Sequence, residues 1–267
     1  VLPLESFLQA RYQMFNALYW QHTARGATAV IQYLVWRALI PSTGRPSRIK
    51  FNRRRADLLE EFRVKDDRAA LDSLEASLTA GRMSASRRIR LTRLIDAVRT
   101  ESDFDGRDLP QSICDLAYPG MSGSTDHDRY SLILENHETL STISDPLEYS
   151  RARTRLIEEF ISRLRQMLGE AGELISIPVD EMSVFIDVPL GSKDQIENLF
   201  VVEPNHVSFF SAYSPLADAT RDAFRQWSRR VRVFAMPDVA EQLLRAAGGE
   251  IVLRQLAFAA LFEAYEA

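Results

Sequence analysis

From Leu4 to Ile40, apolar residues recur at helical spacing (Leu4, Phe7, Leu8, Met14, Phe15, Leu18, Tyr19, Val30, Ile31, Leu34, Val35, Leu39), with Gly26 the one breaker. They fill more than half of the turn, so the pattern predicts a long helix buried on most sides. Pro41 and Pro46 end it, and the stretch through Arg55 carries Arg45, Arg48, Lys50, Arg53, Arg54 and Arg55 without an acid, which reads as a basic connector. Shorter amphipathic helices follow at 53–63, 67–79 and 84–101. Asp66 or Asp67 and Ser84 or Ser86 are placed to cap the last two, because their side-chain oxygens can accept from first-turn N–H groups. Asp105 to Tyr130 is rich in Gly, Pro, Ser and Asp and reads as a long loop. Pro146, preceded by Ser144 and Asp145, opens a strong helix running to about Gly169.

After Gly172 the period changes to two. Leu174 to Pro178, Ser183 to Val188, Leu199 to Val202 and Val207 to Phe210 read as strands, the last two joined through Glu203-Pro204-Asn205-His206 as a hairpin. Ser214 is placed to cap a helix to about Arg229, Val231 to Phe234 reads as a further strand, and helices at 238–246 and 250–265 finish the chain. The expected fold is α+β, a helical first part followed by a small, mostly antiparallel sheet with helices. The expected organisation is a helical region over 1–104, a loop-rich connector over 105–143 and an α+β domain over 144–267.

Charge sharpens this division. Residues 1–100 hold 18 Lys or Arg against 9 Asp or Glu, and residues 101–267 hold 15 against 28, so the net charge of -4 conceals +9 followed by -13. Of the 33 cations 30 are Arg, which suits planar phosphate recognition and equally a coding bias. With 46% hydrophobic and 26% charged residues the chain is neither a disordered tail nor a membrane protein. The longest uncharged apolar stretch, Gly26 to Trp36, is too short to span a bilayer. A lone cysteine, Cys114, allows neither an internal disulfide nor a thiolate zinc cage, which fits a reducing cytoplasm. The start at Val1, already inside an apolar-periodic segment, leads us to expect the later part of something longer.

The candidate chemistry is sparse. His137-Glu138 begins like a metalloprotease helix but lacks a second His four residues on. Glu135 and His137 can touch one metal from a strand, though a solvated polar pair is the default, and His127 with Asp128 can share a divalent ion only if another His and a remote carboxylate converge. Asp180, Glu181 and Asp187 lie near strand ends, where acid–base work is possible and an exposed face or turn is the default. Nucleophile-elbow, phosphate-loop and dinucleotide patterns are absent. One cluster stands above this background. At 100° per residue, Arg11, Gln21, His22 and Arg25 share an arc of about 100° on the first helix. Arginine is costly to bury alone, so the stripe either pairs with carboxylates elsewhere or binds an anionic substrate through guanidinium and imidazole groups.

The stretch Ala10-Arg11-Tyr12-Gln13-Met14-Phe15, continuing through Tyr19-Trp20-Gln21-His22-Thr23-Ala24-Arg25 to Ala29, resembles the helix that follows the catalytic core in bacterial HD-domain metal-dependent phosphohydrolases related to the dNTP triphosphohydrolases. Asp187-Val188-Pro189 and the Arg230 to Phe234 strand look, more loosely, like later parts of that family. The resemblance implies that Arg11, His22 and Arg25, with Gln21 where many relatives have His, contact nucleotide phosphate. It also implies that the family's metal site, a His, a His-Asp pair and an Asp, belongs to a region before this helix. The chain therefore reads as the C-terminal part of a cytoplasmic phosphohydrolase. No catalytic or metal residue is assigned within it, and a divalent metal is expected only where the HD half is present. By itself the chain is expected to be inactive. Its expected partners are a nucleotide or phosphate ligand and either a second copy, through the apolar first helix, or a missing HD domain. No membrane is expected. The alternatives are a non-catalytic regulatory or oligomerisation module and, ranked last, a nucleic-acid-binding protein using the basic connector and Arg82, Arg87, Arg88, Arg90 and Arg93.

Overall fold

The computed structural model describes residues 6–7, 10, 22–39, 48–79, 83–99, 108–116, 125–173, 175–176, 178–188, 200–203, 206–209, 214 and 230–267. Within them the chain runs α1 (His22–Leu39), α2 (Arg48–Val64), α3 (Asp67–Thr79), α4 (Ala85–Arg99), β1 (Gln111–Leu116), α5 (Thr125–Ser141), α6 (Pro146–Leu168), α7 (Glu170–Glu173), β2 (Val184–Asp187), β3 (Phe200–Glu203), β4 (His206–Phe209), β5 (Val231–Ala235), α8 (Pro237–Ala247) and α9 (Glu250–Glu266). The fold is α+β.

Local chemistry sets most of these boundaries. Asp145 caps α6 by accepting from the N–H groups of Leu147 (2.9 Å) and Glu148 (3.1 Å), and Pro146, which has no N–H to satisfy, takes the first turn. Of the paired cap candidates, Asp66 accepts from Ala69 N–H at 2.7 Å and Ser84 from Arg87 N–H at 3.3 Å. Gly248 ends α8 at φ 72, a left-handed conformation that glycine adopts without a Cβ penalty.

Strands β1, β5 and β2 form one antiparallel sheet in the order β1-β5-β2, with β5 in the centre. Alternation along β5 divides its side chains between two cores. Val231, Val233 and Ala235 join Ile133, Phe160, Leu164, Leu253 and Leu261 beneath α5, α6, α8 and α9. Phe234, with Phe185 from β2, Met182 and Met236, joins Val30, Leu34, Leu74, Leu94 and Ile95 beneath α1, α3 and α4. The sheet is thus the middle layer between two helical layers. Phe185 and Phe234 are fully buried, and each contributes roughly 2–3 kcal/mol through area removed from water. Gly26 lets α1 approach the sheet closely, since a Cβ there would lie 3.0 Å from the Pro110 carbonyl oxygen and 3.7 Å from the Phe234 ring. The β3–β4 hairpin forms as its sequence predicts, with Val202 opposite Val207, and its ladder extends to Glu203 and His206, two residues expected in the connecting loop.

Several expectations are corrected. The segment 105–143 is not a loop-rich connector, because it contains β1 and α5. Strand β1 is recruited by pairing with β5, and α5 buries Tyr130 and Ile133 on one face. The basic connector is helical from Arg48, where no further breaker follows Pro46, and its Phe51 and Leu58 are buried. Ile175, Ser176 and Pro178 form no strand, since Ser176 N–H donates to the Gln242 side chain at 3.1 Å and Pro178 has no N–H to give. The long first helix is described as continuous only from His22 to Leu39, and the helix expected after Ser214 lies outside the described residues. Between Ala24 and Leu39 only Gln32 is exposed, and Ala29, Val30, Tyr33, Leu34, Ala38 and Leu39 are buried. Among the described residues no helix is long and apolar enough to cross a membrane.

Candidate functional site

The end of β5 nearest α1 carries a layer of charge inside the protein. Residues of one strand that face the same side are two apart, and Arg230, Arg232 and Phe234 form such a series, with Phe234 in the core beneath α1. The register places Asp115 of β1 and Asp187 of β2 opposite Arg232 from either side. The side chain of Arg232 is 1% exposed, with its Nε 3.8 Å from Asp115 and its Nη1 3.9 Å from Asp187. Burial lowers the pKa of Arg232, whereas Asp115 and Asp187 favour its charged form, and Arg230 and Arg25 oppose it. Arg230 binds Asp115 through Nε. From α1, Arg25 donates through Nε to Asp187 at 2.8 Å and through Nη2 to the second carboxylate oxygen, a bidentate pair.

Of the stripe proposed from sequence, Arg11 and Gln21 lie outside the described residues, and His22 is placed only as the first residue of α1. Arg25 is placed, and it pairs with a carboxylate from another element. Asp187 is buried rather than exposed, and Asp180 and Glu181 sit in the turn before β2 as expected. Asp115 was hidden in a segment read as loop. Arg230 and Arg232 carried a legible signal: two cations at period two in an otherwise apolar strand require carboxylates on the same face.

A second polar group lies at the other end of α1. Glu181 receives Thr154 Oγ1 at 3.2 Å on one carboxylate oxygen, and faces Arg87 at 3.5 Å and Arg37 at 3.8 Å on the other. Next to it Asp180 is clamped by Arg90 through two bonds of 2.6 and 2.5 Å. Arg93 reaches Asp238 at 2.6 Å. Thus Arg87, Arg90 and Arg93, three of the cations offered for nucleic-acid binding, face acids of the same chain.

The described histidines lie apart from one another. His137 lies on α5, not a strand, with Nδ1 2.8 Å from the Tyr265 hydroxyl. Burial and then Arg153 hold its pKa down at about 4, against a small opposing effect of Asp187. Glu135, Glu138 and Asp128 point to the exposed side of α5, and His206 is exposed on β4 beside Ser208. Among the described residues no group of three or more His, Cys, Asp or Glu is placed to hold a metal ion. Cys114 is buried, and burial pushes its thiol pKa up to about 12. In comparisons with known proteins, no family model, curated protein or solved structure matches the chain.

Proposed function

We propose that the chain supplies the phosphate-binding side of an HD-type nucleotide phosphohydrolase and works with a metal-bearing HD region. One observation carries this reading. The three segments that resemble that family, the helix with Arg25, the strand end with Asp187 and the strand from Arg230 to Phe234, meet in a single ion-paired layer. Arg25 acts there as a positioning residue, because its bidentate bond to Asp187 fixes α1 against the sheet. Arg11 and His22, farther along the stripe, then contact the phosphate, with Gln21 beside them.

The test is calorimetric titration of the folded chain with dATP. Binding with a dissociation constant below about 1 mM, the upper end of common substrate affinities, is expected, and Arg11→Ala should weaken it at least tenfold without lowering the melting temperature. Failure of the folded chain to bind dATP, or an affinity unchanged in Arg11→Ala, refutes the proposal.

A further inference from the structure

The cleft between α1 and α6, lined also by Glu181 of the turn before β2, contains donors with too little to bind. Tyr33, only 3% exposed, lines it, and its hydroxyl is buried without any hydrogen-bond partner. A buried hydroxyl left unsatisfied is costly and needs an explanation. Arg153 lines the same cleft from α6, and among the described residues it makes no ion pair or hydrogen bond. Among the described residues Arg37 has only the distant Glu181. Glu181 is itself held loosely, by one hydroxyl at 3.2 Å and guanidinium groups at 3.5 and 3.8 Å, whereas the neighbouring Asp180 is gripped at 2.5–2.6 Å. The turn is rigidly anchored, since Met182 N–H donates to the Asp180 side chain at 2.8 Å and Ser183 accepts from Met236 N–H at 2.8 Å. Glu181 therefore lines, from a fixed base, a cleft whose other charged lining residues, Arg37 and Arg153, are cationic.

We infer that this cleft binds a small phosphate-type oxyanion between Arg37, Arg153 and the Tyr33 hydroxyl, with the Glu181 carboxylate as a resident competitor that the ligand displaces. Two guanidinium groups and a phenol lining one cleft from two helices suit an anion with more than two oxygens better than a planar carboxylate. Size limits the ligand. The room left beside Glu181 is about 20 Å³, enough for a water molecule, so a phosphate group enters only as the carboxylate swings out. A nucleobase finds no open platform on Trp36, which is stacked against Tyr149 at 4.7 Å and against Phe51 at 6.1 Å. The inference does not rest on the reading of the Arg25 layer, which involves different residues.

Calorimetric titration of the folded chain with inorganic phosphate tests it, with acetate and dATP as parallel arms. Saturable phosphate binding is expected, weakened tenfold or more by Arg153→Ala and tightened several-fold by Glu181→Gln, which removes the competing charge. Tyr33→Phe should weaken binding while leaving the melting temperature unchanged or higher, because the hydroxyl has no partner to lose. If dATP competes with phosphate and also loses affinity in Arg153→Ala, the site accepts the terminal phosphate of an ester. If dATP does not compete, the site takes the free ion. Absence of phosphate binding overturns the inference, as do acetate binding of equal strength and an affinity indifferent to Glu181→Gln. Phosphate binding lost in Arg11→Ala but kept in Arg153→Ala assigns it to the stripe on the first helix and also overturns the inference.

Discussion

Replacing Arg25 by Ala should destabilise the protein by about 2–3 kcal/mol. The side chain is 18% exposed and Asp187 6%, so the pair is largely withdrawn from solvent. Removing one member of a buried pair usually costs about 3–5 kcal/mol, because the partner's charge is stranded. Here Arg232 remains 3.9 Å from Asp187 and keeps part of the compensation, which places the loss below that range. At roughly 2–4 °C per kcal/mol for chains of this size, melting should fall by about 5–10 °C. Urea denaturation of wild type, Arg25→Ala, Asp187→Ala and the double variant completes a cycle in which the coupling should reach about 2 kcal/mol. Because the pair is shielded, 0.5 M salt should change that coupling little. A loss under about 0.5 kcal/mol, or strict additivity in the cycle, refutes the claim that this ion pair fixes α1 to the sheet.

Three other perturbations have expected outcomes. His137 has a folded pKa near 4 against an unfolded value of about 6.5, so the unfolded chain takes up the proton first as pH falls; stability is full above about 6.5 and falls by about 3 kcal/mol on going to pH 4. His137→Asn should remove that part of the slope in urea melts across this window, and an unchanged slope contradicts the assignment. Asp145→Ala removes a cap that satisfies two first-turn N–H groups and should lower stability by about 1 kcal/mol in the same assay. Gly26→Ala, favourable for an isolated helix, should instead cost about 1 kcal/mol or more, because the methyl meets a backbone oxygen that cannot move aside cheaply; a gain in melting temperature would show that α1 can shift outward.

Most elements were legible because they are written in local chemistry. Asp145-Pro146 and Gly169 bracket α6, and the hairpin of β3 and β4 follows from period-two apolar residues around Pro204-Asn205. Elements that exist through partners were not. β1 is a strand only because β5 lies beside it, and α5 begins directly after a Gly- and Ser-rich run that resembles loop by composition. The charge asymmetry was legible as a number but not in meaning. Arg25, Arg37, Arg87, Arg90 and Arg93 from the basic first part reach Asp187, Glu181, Asp180 and Asp238 from the acidic remainder, so the excesses meet each other within the molecule. Of the stripe on the first helix, Arg25 alone is described in full, and it pairs with Asp187. The cleft at Tyr33 left no trace in spacing, since Tyr33 and Trp36 count as ordinary apolar positions of a helix.

The place of β5 has a consequence for how the chain is made. A ribosome releases the helices of α1, α3 and α4 first, then β1 and β2, and the strand that both of these flank only after residue 235 has emerged. Until then Val30, Leu34, Leu74 and Leu94 lack the Phe234 surface on which they close, and β1 has an open edge. Folding must wait for contacts spanning more than a hundred residues, a topology that favours slow rates and prolonged exposure of sticky intermediates. Nascent chains stalled before Val231 should therefore engage chaperones, and chains released just after Ala235 much less.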